Sequence, residues 1–526
     1  MFGKVEIVEK NVIKKKIRRG IFRVAIAYPS TYMVGMSSLS IHLLYNILNN
    51  IDFVYAERVF MEGSGPYRSV ETGTLLRDFD LILFSVHYEL DYVNIVKMLE
   101  RSGINPISRY RNRKPIVIVG GPTVTANPEP VADIADIVFL GEVEPVIDKI
   151  IERIYISKNI EDLADIEGIY IPSLGKYEVK VVKSLNLDNT QYPTRQIITL
   201  KAPKNYTPVF GKAYFLEICR GCPYLCKFCM ESHIQHPFRY RSFSNIVRIL
   251  ESSELDEDID KIVIIGLGAQ SHPDFRKIIQ YLLDNYNLEI SVPSLRTDVL
   301  EEEDIELISR TGQKALTIAP ENSEKIRMFL GKYFGNDKIF KICELSRKYG
   351  FDHIKLYFII GIPNEDDNDI KECVDIVRKV CKIFNGNVYV SVNPWIRKPQ
   401  TPLQYMKPLD MDVVDKRIKY FVENLNCRYT TYDIFLAYAQ MLLSLGDRDV
   451  SKIIIDASRL EMSNLSRSLW RRILRKYSDL FKKYVFSQYD INSELPWSHV
   501  KSSIDSRILW RRYEESISMF SRGNNL

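Results

Sequence analysis

The 526-residue chain has no cysteine in its first 218 residues. No apolar run reaches the ~18 residues that would cross a bilayer, and the basic start "MFGKVEIVEKNVIKKKIRRG" lacks the apolar core of a signal peptide. A cytoplasmic location is therefore expected. The charge is not strongly of one sign either: 72 basic and 67 acidic residues leave a net +5, which by itself does not point to nucleic acid. No GxGxxG follows the first apolar run, which weighs against dinucleotide binding. There is no internal repeat and no low-complexity tract. What is present is an ordinary globular composition, 46% hydrophobic and 26% charged. The chain is longer than the ~250 residues at which single cores stop growing, so two or three domains are expected.

From Phe22, short apolar runs alternate with helical stretches: "FRVAIAYP", "SIHLLYNILNN", "LILFSVH", "YVNIVKMLERSG", "PIVIVGGP", "ADIVFLG". This rhythm predicts a parallel α/β sheet over residues 1–154. Ligands of such sheets bind at the carboxyl ends of the strands, here the loops "YPSTYMVGMSS", "SVHYELDY", "GGPTVTANPEP" and "GEVEP". Gly120 and Gly121 either let a ligand approach the backbone or simply make a tight strand exit. Residues 155–205 read as a β-rich connector, with "GIYIPSLGKYEVKVVK" alternating like a hairpin. A second βα series over residues 206–409 ("KAYFLEIC", "DKIVIIGLGAQ", "EISVPSLR", "QKALTIAPEN", "HIKLYFIIGIP", "NVYVSVNPWIRKP") predicts a (β/α) barrel, partial or complete. Residues 410–526 read as helical. Between Ser466 and Phe486 seven basic residues and one acidic residue give a net +6, with Leu469, Ile473, Leu480 and Tyr484 near one face. Such a helix either docks on the barrel or meets an anionic surface.

Four of the eight cysteines fall within "CRGCPYLCKFC", residues 219–229. Cys343, Cys373, Cys381 and Cys427 are expected to be buried packing residues. Four thiolates could cage a structural zinc ion, although zinc knuckles usually pair ligands from two separate segments. Three thiolates would instead leave one iron of a [4Fe–4S] cluster without a protein ligand.

The CxxxCxxC spacing of Cys222, Cys226 and Cys229, with Phe228 before the last and a barrel behind, resembles the signature of the radical S-adenosylmethionine (SAM) superfamily. The resemblance implies that these three cysteines bind a [4Fe–4S] cluster whose open iron chelates SAM, and that Phe228 packs beside the adenine. It further implies reductive cleavage to a 5′-deoxyadenosyl radical that abstracts hydrogen from an unactivated carbon, with electrons from a reductase or ferredoxin-type donor. "LTIAPENSEKIRMFLGK" and "KLYFIIGIPNE" look like the SAM-contacting strands, which carries Glu321 and Gly361 over as SAM-binding positions. Cys219 is left as a packing residue, because a fourth ligand would close the iron that SAM needs.

An α/β domain ahead of such a barrel resembles the cobalamin-binding domain of the B12-dependent members. The corrinoid loop DxHxxG corresponds to "STYMVG", with Tyr32 where the histidine would stand and Gly35 kept. Ser85 of "SVH" and the pair Gly120 and Gly121 match the family's later motifs. These five are the expected cobalamin contacts, whereas His87 is read as a hydrogen-bonded strand-end residue rather than a cobalt ligand. The implied fold is thus a Rossmann-like cobalamin-binding domain, a radical SAM (β/α) partial barrel and a C-terminal helical extension. Methylthiotransferases of the superfamily carry a second cluster on three N-terminal cysteines, which this chain lacks. Two enzymatic readings follow: ring formation in archaeal tetraether membrane lipids, and cobalamin-dependent methyl transfer as in hopanoid methylases. Both would bring the protein to a membrane lipid surface. An RNA-binding protein stabilised by iron–sulfur or zinc is the reading from another class, but no recognised RNA-binding module follows the barrel.

Overall fold

The computed structural model describes residues 6–111, 114–157, 159–253, 255–385 and 387–523. Its N-terminal sheet runs, in spatial order, Val54–Phe60, Phe22–Tyr28, Leu81–Ser85, Ile116–Gly120, Ile137–Phe139, Ile169–Tyr170. The first five strands are parallel and the last is antiparallel. The parallel strands read as near-continuous apolar runs because both faces are covered. Helices Leu39–Asn49 and Ile147–Ile156 pack on one face through Ile41, Leu48, Ile147 and Ile151. Helix Tyr92–Arg101 covers the other through Val93, Val96 and Leu99.

The connector does not form the expected hairpin. Ile169–Tyr170 adds to the open edge of the N-terminal sheet, opposite Val138 and Phe139. Val179–Lys180 pairs in parallel with Val500–Lys501, more than 300 residues away. Alternation predicts a strand but not its partner, and here two non-local edges outcompete the local one.

The second series forms seven parallel strands in two hydrogen-bonded runs. Ala213–Glu217, Lys261–Ile265 and Glu289–Ser291 make one run. Ala315–Glu321, His353–Ile360, Val388–Pro394 and Arg428–Thr431 make the other. Leu316, Ile318, Leu356, Phe358, Val390 and Val392 point outward and are fully buried against the helical layer. The alternate positions, Thr317, Lys355, Tyr357, Tyr389, Ser391 and Asn393, face inward and are only half-buried. The seventh strand lies beyond Leu409, in the stretch read as helical. Its four residues, "RYTT", are all exposed, so no apolar alternation marks it.

The basic C-terminal stretch forms two helices, Arg467–Lys476 and Ser478–Val485. Leu469, Trp470, Ile473 and Leu474 are buried in the core that also holds helix Ile434–Leu445. Among the described residues no helix is long and apolar enough to cross a membrane. Cys343 and Cys373 are fully buried, while Cys381 and Cys427 are half-buried and hydrogen-bonded to each other.

Candidate active site and cofactor cavity

The cysteine loop leaves the carboxyl end of the first barrel strand. Cys219–Arg220 pairs antiparallel with Arg239–Tyr240 and so anchors its start. Gly221 has φ +76°, and a Cβ there would lie 2.7 Å from the Gln235 carbonyl oxygen and 2.9 Å from that of Pro237. Only glycine fits so close an approach. Cys226 is buried and Cys222 and Cys229 are half-exposed. Burial pushes the Cys222 thiol up, and pushes that of Cys229 up to about 12. Thiols in such surroundings ionise only against a cation or a metal. Arg296 Nη1 donates to Cys226 Sγ at 2.9 Å, and its guanidinium lies over the Tyr224 ring and pairs with Asp298 at 2.6 Å. Arg512 of the C-terminal helix Ser506–Gly523 donates to the Leu225 carbonyl at 2.7 Å and so fastens that helix onto the loop. Three thiols on one loop with a guanidinium beside them suit an iron–sulfur cluster.

Cys219 is turned elsewhere. It is 2% exposed, it takes the Gly268 amide N–H, and its Sγ lies against Gly266. Burial pushes its thiol up to about 12. Among the described residues, no three His, Cys, Asp or Glu side chains sit close enough to hold a single metal ion, and this holds for Cys222, Cys226 and Cys229 as for Cys219.

Phe228 shares an apolar cluster with Ile359, Ile362 and Trp395, which flank the ends of the fifth and sixth barrel strands. Among the described residues the buried Trp395 indole N–H has no hydrogen-bond partner, a donor left for a ligand. Glu321 sits at φ +64°, an uncommon conformation for a non-glycine residue. Its carboxylate accepts from Lys332 Nζ at 2.5 Å. The Leu330–Lys332 turn also touches the cysteine loop, because the Lys227 amide donates to the Leu330 carbonyl at 3.0 Å. Phe228 and Glu321 are thereby held on opposite sides of one short turn. Gly361 has φ +90°, and a Cβ there would strike the Val414 methyls at 2.7 Å. Its lack of a side chain therefore serves the packing of helix Met411–Glu423 on the barrel.

Between the N-terminal sheet and the barrel lies a cavity of about 610 Å³. Its floor is an apolar trough of Leu43, Leu44, Leu83, Ile118, Phe139 and Ile150. Its mouth carries Ser85, His87, Gly120 and Gly121 from the strand ends of the N-terminal domain. The facing wall carries Glu217, Cys219, Arg220 and Gly266 from the barrel. Gly121, at φ +123°, would place a Cβ 2.2 Å from the Val86 carbonyl oxygen, so the strand exit accepts only glycine. Tyr32 and Gly35, the other two expected cofactor contacts, do not line this cavity. The Tyr32 ring is fully buried and its hydroxyl is within 2.6 Å of Glu9 Oε1 and 2.7 Å of Thr199 Oγ1. Gly35 packs on Phe60, whose ring would be 2.3 Å from a Cβ. Ser37 and Ser38 of that loop do reach the cavity, with Leu39 and Ser40 of the helix that follows. Tyr32, at the start of the loop, donates to Glu9, which the buried Arg58 holds together with Glu71, and this ties the start of the loop into the domain interior.

A buried ion network joins the two walls. Arg220, beside Cys219, donates to Glu142 at 2.8 Å, Glu144 at 2.6 Å and Glu217 at 2.8 Å. Arg239 pairs with Glu142 at 2.7 Å and Arg241 with Glu217 at 3.0 Å. Burial alone would raise the Glu217 carboxyl, but Arg220 and Arg241 beside it hold it below the usual carboxylate range. On the far side, Glu89 accepts from Lys398, Gln440 and Ser444, and Tyr88 meets Tyr432. The N-terminal domain thus spans the barrel mouth from its first strand to its last.

Residues 216–377 match the model of the radical SAM superfamily, and residues 40–172 match that of the N-terminal region of radical SAM proteins. Uncharacterized protein MJ0966 of Methanocaldococcus jannaschii is 32% identical over 472 residues, which is 88% of this chain and 97% of that one. The chain belongs to the radical SAM superfamily. Ribosomal protein uS12 methylthiotransferase RimO of Thermosipho africanus is 27% identical over 198 residues, 34% of this chain and 46% of that one. Among solved structures, the radical SAM methyltransferase TsrM of Kitasatospora setae, with cobalamin and a [4Fe–4S] cluster bound, superposes with a TM-score of 0.52. The two are 14% identical, with 73% of this chain and 74% of that chain covered, so what is shared is the fold.

Radical SAM proteins use a [4Fe–4S] cluster and SAM, and the site residues that sequence reasoning missed are the ones that would support them. Arg296 and Arg512 reach the cysteine loop from 70 and 287 residues away, and Arg220, within the loop, reaches Glu142 78 residues before it. No local spacing advertises such contacts. Trp395, in "NPWIRKP", carried a signal that could have been used: an aromatic just past a barrel strand.

Proposed function

We propose that this radical SAM enzyme is cobalamin-dependent and methylates an unactivated carbon of a polar substrate. The observation that carries this reading is the single cavity whose walls are the Ser85, Gly120 and Gly121 strand ends on one side and the Cys219–Arg220 start of the cysteine loop on the other. An apolar trough ending in a wide polar mouth suits a ligand with an aromatic tail and a broad amide-rimmed head, which is the form of a cobalamin. Cys222, Cys226 and Cys229 would hold the cluster, and Phe228, Glu321 and Trp395 would hold SAM. When bound, the cluster with SAM supplies hydrogen abstraction and the corrinoid supplies a transferable methyl group.

The chain's own part is placement and exclusion of water. Arg296 would hold Cys226 through its hydrogen bond, Arg512 fastens a covering helix over the loop, and the ion network would keep the N-terminal domain against the barrel mouth. The inward barrel surface supports a polar substrate over a hydrocarbon chain. Lys355 lies 4.8 Å from the centre of the Tyr357 ring and 5.4 Å from that of Tyr389, and it makes no ion pair among the described residues. Ser391 and Asn393 share that face. Electrons come, on this reading, from a reductase or ferredoxin-type donor.

The test is anaerobic turnover with SAM, dithionite and methylcobalamin, following S-adenosylhomocysteine and 5′-deoxyadenosine. Both products are expected, the first only when a corrinoid is present. Production of 5′-deoxyadenosine that is indifferent to cobalamin would remove the methyl-transfer reading.

A further inference from the structure

His87 lies two residues past the strand Leu81–Ser85, in the loop that forms one lip of the cavity. It is exposed, and it lines the cavity. Its Nε2 meets hydroxyls of the same cavity wall. Nε2 lies 3.2 Å from Ser85 Oγ and 3.4 Å from Ser40 Oγ, and these hydroxyls are 3.0 Å from each other, with Ser38 a further 2.9 Å on. Tyr28 packs against its side with ring centres 5.9 Å apart. Among the described residues no carboxylate pairs with it and no hydrogen bond reaches Nδ1. Metal-binding histidines have this arrangement: one ring nitrogen donates to a fixed acceptor, which sets the tautomer and leaves the other lone pair free.

We propose that His87 supplies an axial nitrogen to the cobalt of a bound corrinoid, with Nε2–H donating to the Ser85 and Ser40 hydroxyls and Nδ1 facing the metal. The inference rests on the cobalamin reading above and adds the ligand. It replaces the reading of His87 as a hydrogen-bonded strand-end residue. Tyr32 cannot take that place, since its hydroxyl is committed to Glu9 and Thr199 inside the domain. Cys219, on the opposite wall, has its sulfur packed against Gly266. Desolvation at the cavity wall also lowers the His87 pKa.

The experiment is electron paramagnetic resonance of the full-length protein loaded with cob(II)alamin, prepared with natural and with 15N-labelled histidine. An axial nitrogen splits each cobalt line into three, and a 15N ligand into two. The expected result is a three-line pattern that becomes two-line on histidine labelling and is lost in His87→Ala. The labelled wild-type protein decides the point even if the alanine variant does not fold. If cobalamin is retained but the splitting ignores the label, or persists in His87→Ala, the inference is overturned while the cofactor reading stands. If no cobalamin is retained at all, the cofactor reading falls and the ligand with it.

Discussion

Arg220→Met tests how the cofactor domain is held to the cysteine loop. Methionine fills a similar volume without charge, so the change isolates electrostatics from packing. Arg239 would still serve Glu142 and Arg241 would still serve Glu217. Among the described residues Glu144 pairs only with Arg220, and its side chain is 4% exposed. The variant therefore strands one buried carboxylate, at a cost of about 3–5 kcal/mol. At ~2–4 °C per kcal/mol for a domain of 150–250 residues, the apparent melting temperature should fall by roughly 6–20 °C. The pH dependence has a definite sign. Glu217 is held below its ordinary range in the folded protein, so its contribution is present above the unfolded pKa and lost as pH falls through the folded one. The gap between wild type and variant should be widest near pH 7 and close below about pH 4. Adding Glu144→Gln should recover part of the loss, with a coupling of about 0.5–3 kcal/mol. Thermal melts of the four proteins of that cycle at pH 7 and pH 4 supply the data. A drop under about 2 °C at pH 7, or an equal drop at both pH values, would refute the electrostatic account of this bridge.

Further outcomes follow from the same site. Cys226→Ala should abolish both the iron–sulfur absorbance and 5′-deoxyadenosine, whereas Cys219→Ala should leave both in place; loss of the cluster in the second variant would make Cys219 a ligand. Arg296→Gln removes a charge-assisted hydrogen bond to Cys226 and should make the cluster harder to reduce by tens of mV, with a ceiling of roughly 130 mV set by ~3 kcal/mol at 59 mV per tenfold. Redox titration reads that shift, and an unchanged or more positive potential contradicts the role given to Arg296. Asp91 is raised by burial to about 7 although Asn464 and Asn94 donate to it. Its raised pKa favours the fold at low pH, and that contribution is lost as pH climbs from about 4 through 7. Asp91→Asn should accordingly be more stable than wild type at pH 8, by a few kcal/mol at most, and the two should converge at pH 4. Melts that run parallel across that range would show that Asp91 stays ionised.

The barrel and the cysteine loop were legible because they are written locally: alternating apolar strands, helices between them, and three cysteines at fixed spacing. The three-layer N-terminal domain was legible for the same reason. What could not be read depends on partners far along the chain. "GIYIPSLGKYEVKVVK" alternates like a hairpin, yet Tyr170 pairs with Val138 and Val179 with Val500. The strand "RYTT" is exposed on every residue and has no pattern to detect. Tyr32 was placed in the cofactor site by its position in a motif. Its hydrogen bond to Glu9, which the buried Arg58 holds together with Glu71, instead ties it into the domain interior. His87 was set aside as a lone histidine, because no sequence pattern reveals that its exposed face looks into a cavity rather than into water.

The most direct test of the whole account is metal and corrinoid content after anaerobic reconstitution of the full-length protein with iron, sulfide and hydroxocobalamin. About four irons and one cobalt should be retained by the same chain after gel filtration, the iron lost in Cys226→Ala with the cobalt kept. Zinc in place of iron, or iron without any corrinoid, would contradict it.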